Sequence, residues 1–281
     1  MNTHGRTWGA ILLIAAVILS FLGAAYLRDD SLSRLRSSGV IRIGYAIEPP
    51  YAFIDAGGRV TGESPEVAKR IVKALGIHRI QWRQMEFGSL IPELEAGRID
   101  LIAAGLFFTP DRARRVRFSD PTFRVGPDLL VSKGNPRGLH AFRQIAEDSG
   151  VRLAVLSGSV EESLLRRLGV DPGRLVQVPD ALTGRVAVES GVADALMLSA
   201  PAVHWMATAH RSDLTQLFIS AEDPAPVLGD TYGIGAFAFR VEDRALVSAW
   251  NAAQRVFVGS EAHRHLLLGF GFQNTEVPAR R

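Results

Sequence analysis

Residues 87–105 read FGSLIPELEAGRIDLIAAG and predict the unit that decides the fold. Residues 89–96 are typical of a helix, which Gly97 ends because glycine readily takes the left-handed backbone at helix C-termini. Asp100 then leads into the apolar run Leu101-Ile102-Ala103-Ala104, which predicts a buried strand that stops at Gly105. A helix followed by a buried strand is half of a parallel α/β unit.

The same order of features returns in the second half of the chain. Residues 181–190 predict a helix, Gly191 ends it, and residues 194–198 predict an apolar strand that begins with Asp194. The segments LEAGRIDL (94–101) and VESGVADA (188–195) therefore share helix, glycine, two residues, aspartate and strand. This repeat predicts two similar lobes of the α/β class.

Flanking segments complete each lobe. Residues 40–45 alternate like a short strand, and residues 151–155 predict another strand. Ser64 is expected to cap a helix with Pro65 at its first position. We expect the chain to cross between the lobes at Asp128–Lys133 and Asp230–Phe239, and the tail from Glu242 to Phe272 to be helical and to pack on the first lobe. The first lobe is thus predicted to comprise residues 39–128 and 232–281, and the second lobe residues 129–231.

The N-terminus has the features of an export signal. His4 and Arg6 precede an apolar run from about Trp8 to Leu22, and small residues then lead into a charged stretch. The run is also nearly long enough to span a bilayer. We therefore predict a signal peptide or membrane anchor over residues 1–28, a polar linker over residues 29–38, and a periplasmic or other extracytoplasmic location for the rest.

Composition excludes several classes of function. The chain is 47% hydrophobic and 22% charged, which is normal for a folded globular protein, and it contains no cysteine for disulfides, thiolate metal sites or thiol catalysis. Its net charge of +3 is spread along the chain, so no nucleic-acid partner is expected. His263 and His265 are two apart in a predicted helix and point to different faces. We predict no metal and no other cofactor.

A ligand site is expected beyond the carboxyl ends of the strands, among loops and helix N-termini. Aromatic residues gather there, namely Tyr51, Phe87 and Phe107, and Arg112 lies on the first turn of the helix that Thr109 begins. Aromatic faces attract a diffuse cation, and a guanidinium binds a carboxylate through two parallel hydrogen bonds. The combination predicts a small zwitterionic ligand.

At these residues the chain resembles the family 3 extracellular solute-binding proteins of ABC importers, and most closely their ectoine/hydroxyectoine-binding branch. The matching segments are GYAIEPPYAF (44–53), TGESPEVAKRI (61–71), FGSLIPELEAGRIDLIAAG (87–105), TPDRARRVRFSDPTF (109–123), SKGNPRGLH (132–140) and GAFAFRVED (235–243). The resemblance implies a two-lobed, type II periplasmic-binding-protein fold with a hinge of two crossing segments. It also implies a monomer that closes on a solute and presents it to a membrane permease.

The resemblance also implies roles for individual residues. Tyr51, Phe87 and Phe107 would form an aromatic cage around the ligand cation, with Glu48 as the acidic partner of its ring nitrogens and Arg112 as the carboxylate anchor. The turn at Ser159 and Val160 would close the site from the second lobe. Ser199 stands where the family's amino-acid binders carry an aspartate for the α-ammonium, which argues against an ordinary α-amino acid. The predicted ligand-binding residues are Glu48, Tyr51, Phe87, Phe107, Arg112, Ser159, Val160 and Ser199.

Three alternatives remain open from the sequence. In the first, the protein is still a binding protein, but its ligand is a polar amino acid, an opine or a betaine. In the second, the chain is an enzyme similar to the cyclohexadienyl dehydratases, with Glu48 and Glu161 as an acid–base pair. In the third, it is an anchored sensor. No Ser/His/Asp arrangement is evident, so we do not expect an enzyme.

Overall fold

Two mixed β-sheets, each flanked by helices, form the frame of the protein. The structure, a computed structural model, describes residues 29–208, 213–217 and 232–279, without the side chains of Arg143 and Ala146. The predicted signal or anchor over residues 1–28 lies outside these described residues. Within the ranges described, no helix is both long enough and apolar enough to cross a membrane.

The first lobe is built on a five-stranded sheet. Its strands, from one edge to the other, are β4 (Arg79–Gln84), β1 (Val40–Tyr45), β5 (Leu101–Ile102), β14 (Ala238–Phe239) and β6 (Arg117–Phe118). The first three are parallel, and β14 is antiparallel to both of its neighbours. The lobe also contains a hairpin of β2 (Phe53–Ile54) and β3 (Val60–Thr61), and the helices α1 (Ser31–Ser38), α2 (Glu63–Ala74), α3 (Leu90–Glu95), α4 (Pro110–Ala113), α9 (Arg244–Phe257) and α10 (Glu261–Gly269).

The second lobe repeats this plan. Its sheet runs β10 (Leu175–Val178), β9 (Leu153–Leu156), β11 (Ala195–Ser199), β8 (Pro127–Ser132) and β12 (Thr215–Leu217), again with three parallel strands followed by an antiparallel one. Its helices are α5 (Phe142–Glu147), α6 (Val160–Arg167), α7 (Ala181–Glu189) and α8 (Ala200–Thr208). Single 3₁₀ turns occur at Phe87–Ser89, Pro172–Arg174 and Asn274–Glu276. The predicted α/β class with two similar lobes is confirmed.

The aspartate of the repeated motif has the same structural role in both lobes. Asp100 accepts the backbone N–H of Arg42 at 2.8 Å, and Asp194 accepts the backbone N–H of Arg152 at the same distance. Each carboxylate also pairs with a guanidinium, that of Arg42 at 2.6 Å and that of Arg137 at 3.0 Å. The aspartate thereby ties the strand it precedes to the strand beside it, which explains its place in the motif.

The C-terminal helices pack on the first lobe, as predicted. Trp250 on α9 is fully buried between Phe237 and Phe239, with ring centroids 4.9 and 5.4 Å from theirs. Buried aromatic residues of this size contribute about 3–5 kcal/mol to stability when judged by truncation to alanine. The tail is therefore part of the hydrophobic core of this lobe.

The chain passes between the lobes through two paired segments. Strand β7 (Phe123–Arg124) is antiparallel to β13 (Ile234–Gly235), so the two crossings form one ribbon. Gly233 has φ +71°, and a Cβ there would lie 1.8 Å from the carbonyl oxygen of Val125, so only glycine fits. The predicted second crossing, Asp230–Phe239, includes β13, although residues 230 and 231 lie outside the described ranges.

Three local predictions were wrong. The first crossing precedes Asp128–Lys133, because the apolar residues of β8 are buried and this strand pairs on both edges within the second sheet. The predicted linker at residues 29–38 is largely helix α1, whose Leu35 is buried against the first lobe. Ser64 is not a cap, since α2 begins at Glu63; its hydroxyl instead accepts the backbone N–H of Gly105 at 3.1 Å.

Candidate functional site

A small cavity lies between the lobes, where strands of both sheets end. It has a volume of about 10 Å³, room for about one water molecule and far below the roughly 300–1,000 Å³ typical of sites for drug-sized ligands. The lobes would therefore have to move apart to admit a solute. Its lining residues come from the strands β9 and β11, from the segments after β1, β4, β5 and β9, and from nearby helix starts: Glu48, Phe87, Gly105, Phe107, Arg112, Leu156, Ser159, Val160, Glu161 and Leu198.

Six of the eight residues singled out from the sequence line this cavity, and two do not. Tyr51 and Ser199 lie outside the lining, where the Tyr51 hydroxyl donates a hydrogen bond to Ser199 Oγ at 2.8 Å. The Tyr51 ring packs at 4.9 Å from Phe123 and at 6.3 Å, edge to face, from Phe107. In this closed form, Tyr51 thus supports a wall of the cavity and contributes a bond between the lobes.

Gly105 allows this packing. Its φ is +64°, and a Cβ there would lie 2.5 Å from Cγ of Tyr51. A larger residue would force the Tyr51 ring to move, and with it the neighbouring Phe107. The glycine at which the β5 segment was predicted to stop is therefore also the place where the backbone makes room for the Tyr51 ring.

Arg112 is held at one end of the cavity by its helix and by both lobes. The Oγ1 of Thr109 accepts the backbone N–H of Arg112 at 3.1 Å and so caps α4. The Arg112 guanidinium donates to the carbonyl oxygens of Phe107 at 2.8 Å and of Gly158, in the second lobe, at 2.9 Å. It also lies 5.6 Å from the centre of the Phe87 ring. Burial lowers the pKa of Arg112 to about 10, so the side chain stays positively charged at neutral pH.

Two buried carboxyl groups face Arg112. Glu161, on the first turn of α6, accepts a hydrogen bond from the Tyr232 hydroxyl at 2.5 Å, whereas none of the described residues donates one to the Glu48 carboxylate. Burial raises the pKa of Glu48 well above its ordinary value, and the nearby charge of Glu161 raises it further, although Arg112 partly offsets this. Burial also raises the pKa of Glu161, against the opposing effect of the Tyr232 hydroxyl.

The structure adds residues that the sequence reasoning did not place at the site. Glu161 was considered only as half of an acid–base pair, although its position two residues after the cap Ser159 puts it at a helix start beside the cavity. Tyr232 comes from the returning crossing, and its ring lies 5.5 Å from Phe107. Leu156, the last residue of β9, and Leu198, the last but one of β11, lie at the cavity wall. An apolar residue near the end of a strand gives no local sign that it lines a site.

The side chains at the site suit binding of a charged organic molecule. They combine one guanidinium, two carboxyl groups and the rings of Phe87 and Phe107 in a space enclosed by both lobes. Among residues 29–208, 213–217 and 232–279, no three or more His, Asp or Glu side chains are grouped so that they could hold a metal ion.

Known proteins resemble this chain over most of its length. The chain is 32% identical over 273 residues to the probable amino-acid ABC transporter periplasmic-binding protein y4tE of Sinorhizobium fredii, which covers 96% of this chain and 90% of that protein. The crystal structure of EhuB in complex with hydroxyectoine superposes with a TM-score of 0.78 at 29% identity, over 88% of this chain and 94% of that one.

An enzyme is also related in part. Membrane-bound lytic murein transglycosylase F of Idiomarina loihiensis is 29% identical over 160 residues. This match covers 57% of the present chain but only 34% of the enzyme, so the similarity spans about a third of that enzyme's length.

The sequence profile of the bacterial extracellular solute-binding proteins, family 3, matches residues 41–264, which include both sheets, the crossing ribbon and the cavity between the lobes. The resemblance that the sequence motifs suggested is thereby confirmed. The chain belongs to the family 3 bacterial extracellular solute-binding proteins.

Proposed function

We propose that this protein is the extracytoplasmic substrate-binding component of an ABC importer and that it binds a small zwitterionic compatible solute of the ectoine/hydroxyectoine type. The observation that carries the proposal is the enclosed cavity with Arg112 at one end, Glu48 among its walls and the rings of Phe87 and Phe107 beside them. The similarity to EhuB, crystallised with hydroxyectoine, supports the choice of ligand.

The carboxylate of the ligand would bind Arg112. A guanidinium has five N–H donors, and the bonds to Phe107 and Gly158 use two of them, so donors remain for a ligand. Hydrogen bonds to charged groups are worth about 1.5–3 kcal/mol each. Because Arg112 also reaches the second lobe, the group that holds the ligand helps to hold the lobes together.

The cation of the ligand would lie against the rings and Glu48. Each aromatic face contributes roughly 0.5–2 kcal/mol to a desolvated cation. The Glu48 carboxylate, which receives no hydrogen bond from the described residues, is free to accept N–H groups of a ligand. Together with the carboxylate contacts, these terms approach the approximately −8 kcal/mol of a micromolar binder.

Closure of the lobes would complete the site. Ser159, Val160 and Glu161 approach the ligand from the second lobe, and the crossing ribbon β7–β13 would act as the hinge. A ligand that contacts both lobes favours the closed state by the difference in its affinity for the two states. The closed form would then be the one presented to the permease.

A polar amino acid is the second candidate. It is favoured by the 32% identity to a probable amino-acid periplasmic-binding protein. Ser199 offers no charge to an α-ammonium, and its hydroxyl already accepts a bond from Tyr51. The acidic residue that the second lobe contributes to the cavity is instead Glu161.

Thermal-shift measurements with ectoine, hydroxyectoine, glycine betaine, proline, arginine and lysine would test the proposal. A ligand present at a thousand times its Kd stabilises the folded protein by about 4 kcal/mol, which raises Tm by several degrees. We expect ectoine and hydroxyectoine to raise Tm most. Glycine betaine lacks N–H groups for Glu48 and should have a smaller effect. A rise with amino acids alone would identify the second candidate, and no rise with any compound would contradict the proposed site.

A further inference from the structure

The charges around the cavity do not balance for a zwitterion. Among the residues that the structure describes, Arg112 is the one cationic side chain in the lining, and it lies near the two carboxyl groups of Glu48 and Glu161. A bound zwitterion adds one anion and one cation, which leaves three negative charges against two positive ones in an enclosed space. Burying an uncompensated charge is costly, and proteins usually avoid the cost by taking up a proton.

We infer that Glu161 is a specificity-determining residue: it makes a zwitterion bind together with a proton, whereas a ligand with one more positive than negative charge binds without that proton. The inference rests on the proposed function, because it takes this cavity as the ligand site. It refines that function by stating how the charge of the ligand is compensated.

The contacts of the two carboxyl groups indicate which one carries the proton. Glu161 accepts hydrogen bonds from the Tyr232 hydroxyl and from donors at the start of α6, including Ser159, and these bonds favour its ionised form. Glu48 receives none from the described residues and faces Glu161 and Arg112 as its charged neighbours. The proton therefore belongs on Glu48. A second cationic group on the ligand would replace it there.

Calorimetry in buffers of different ionisation enthalpy would test this inference, because it counts the protons taken up on binding. The probes are ectoine, a zwitterion, and L-arginine, which carries one net positive charge. We expect the binding of ectoine to take up about one proton more than the binding of arginine. The reason is that near neutral pH Glu48 carries a proton in the ectoine complex and is ionised in the arginine complex. Accordingly, ectoine affinity should fall by up to about tenfold per unit rise in pH over the range where the proton is lost, and arginine affinity should change less.

The variant Glu161→Gln removes one charge and keeps an oxygen that can accept from Tyr232. It should abolish the extra proton and shift the ratio of affinities towards ectoine by about tenfold or more, since one buried charge no longer needs compensation. Glu147→Gln is the matched control, because Glu147 is exposed on the second lobe and its loss should change neither quantity.

The outcomes separate the inference from the proposed function. Equal proton uptake for both ligands, or an ectoine complex that Glu161→Gln leaves unchanged in proton count, would overturn the inference alone. If only one of the two probes binds, the number of protons taken up by wild type and by Glu161→Gln still tests the inference. That number should differ between the two proteins if the probe is ectoine and should be the same if it is arginine. If neither probe binds, the proposed site is wrong and the inference is wrong with it.

Discussion

The hydroxyl of Tyr51, in the first lobe, donates a hydrogen bond of 2.8 Å to Ser199, at the end of a strand in the second lobe. Both side chains are buried, so no water competes for the bond in the closed form. It joins two segments that are far apart in the chain and belong to different sheets. Closure of the lobes is therefore supported by protein contacts as well as by a ligand.

Tyr51→Phe should weaken ligand binding about two- to tenfold, because the closed state loses one buried hydrogen bond worth about 0.5–1.5 kcal/mol. Calorimetry would measure the affinity, and small-angle X-ray scattering would report on closure. Tyr45→Phe is the control, since its hydroxyl contacts Gln84 within the first lobe at 3.5 Å. Unchanged affinity in Tyr51→Phe would show that this bond does not contribute to closure.

Arg112→Lys should weaken binding by about tenfold or more, because an ammonium cannot reproduce the planar fork of a guanidinium. A single nitrogen also cannot donate to Phe107 and Gly158 from two separate positions, as Arg112 does. The measurement is a titration of the ligand identified by thermal shift. Arg115→Lys is the matched control, because Arg115 is exposed and pairs with Glu95 at the surface. Similar losses in both variants would show that the effect is not specific to a guanidinium at the site.

Phe107→Leu should weaken binding roughly two- to thirtyfold, because one aromatic face over the cation is worth about 0.5–2 kcal/mol. Leucine keeps most of the apolar volume, so the fold should survive. Phe239→Leu is the control, because it removes a fully buried ring that packs on Trp250 and does not line the cavity. It should lower Tm and leave the affinity unchanged. Affinity that fell in Phe239→Leu but not in Phe107→Leu would contradict the assignment of Phe107 to the wall of the site.

Asp100→Asn should lower the free energy of unfolding at pH 7 by about 1.5–3 kcal/mol, the usual value of hydrogen bonds to charged groups. Burial alone would raise the pKa of Asp100, but the hydrogen bonds from Arg42 hold it below its ordinary value of 3.8. A depressed carboxyl pKa stabilises the fold above the pKa of the unfolded state, and this contribution is lost as the pH falls through the folded pKa.

Thermal unfolding at a series of pH values would check this prediction. The difference between wild type and Asp100→Asn should be constant near neutrality and should shrink only below about pH 3.8. Glu93→Gln, which breaks the exposed pair with Arg98, should lower the free energy of unfolding far less than Asp100→Asn does, because water and salt screen a surface ion pair. A difference in the free energy of unfolding between wild type and Asp100→Asn that increased as the pH was lowered would contradict the role given to Asp100.

Predictions from the sequence succeeded where the signal was local. The helix, glycine, aspartate and strand of residues 94–101 and 188–195 recur in both lobes, because helix ends and buried strands each depend on a few neighbouring residues. The same reasoning failed at residues 29–38, where a short amphipathic helix with one buried leucine looks like a polar linker. It also placed a cap at Ser64, whose hydroxyl bonds to a residue far along the chain.

By itself, the sequence determined the α/β class and the repeat of two lobes, since periodicity, caps and strand ends are encoded over short windows. Together with the family resemblance of its motifs, it also identified six residues that line the cavity. Only the tertiary structure decided that Tyr51 bonds Ser199 outside the lining, that the Tyr232 hydroxyl donates to Glu161, and that Glu48 and Glu161 both lie near Arg112. These relationships join residues that are distant in the chain. They exist because two separately folded sheets bring their strand ends to the same place, and no local pattern records which side chains then meet.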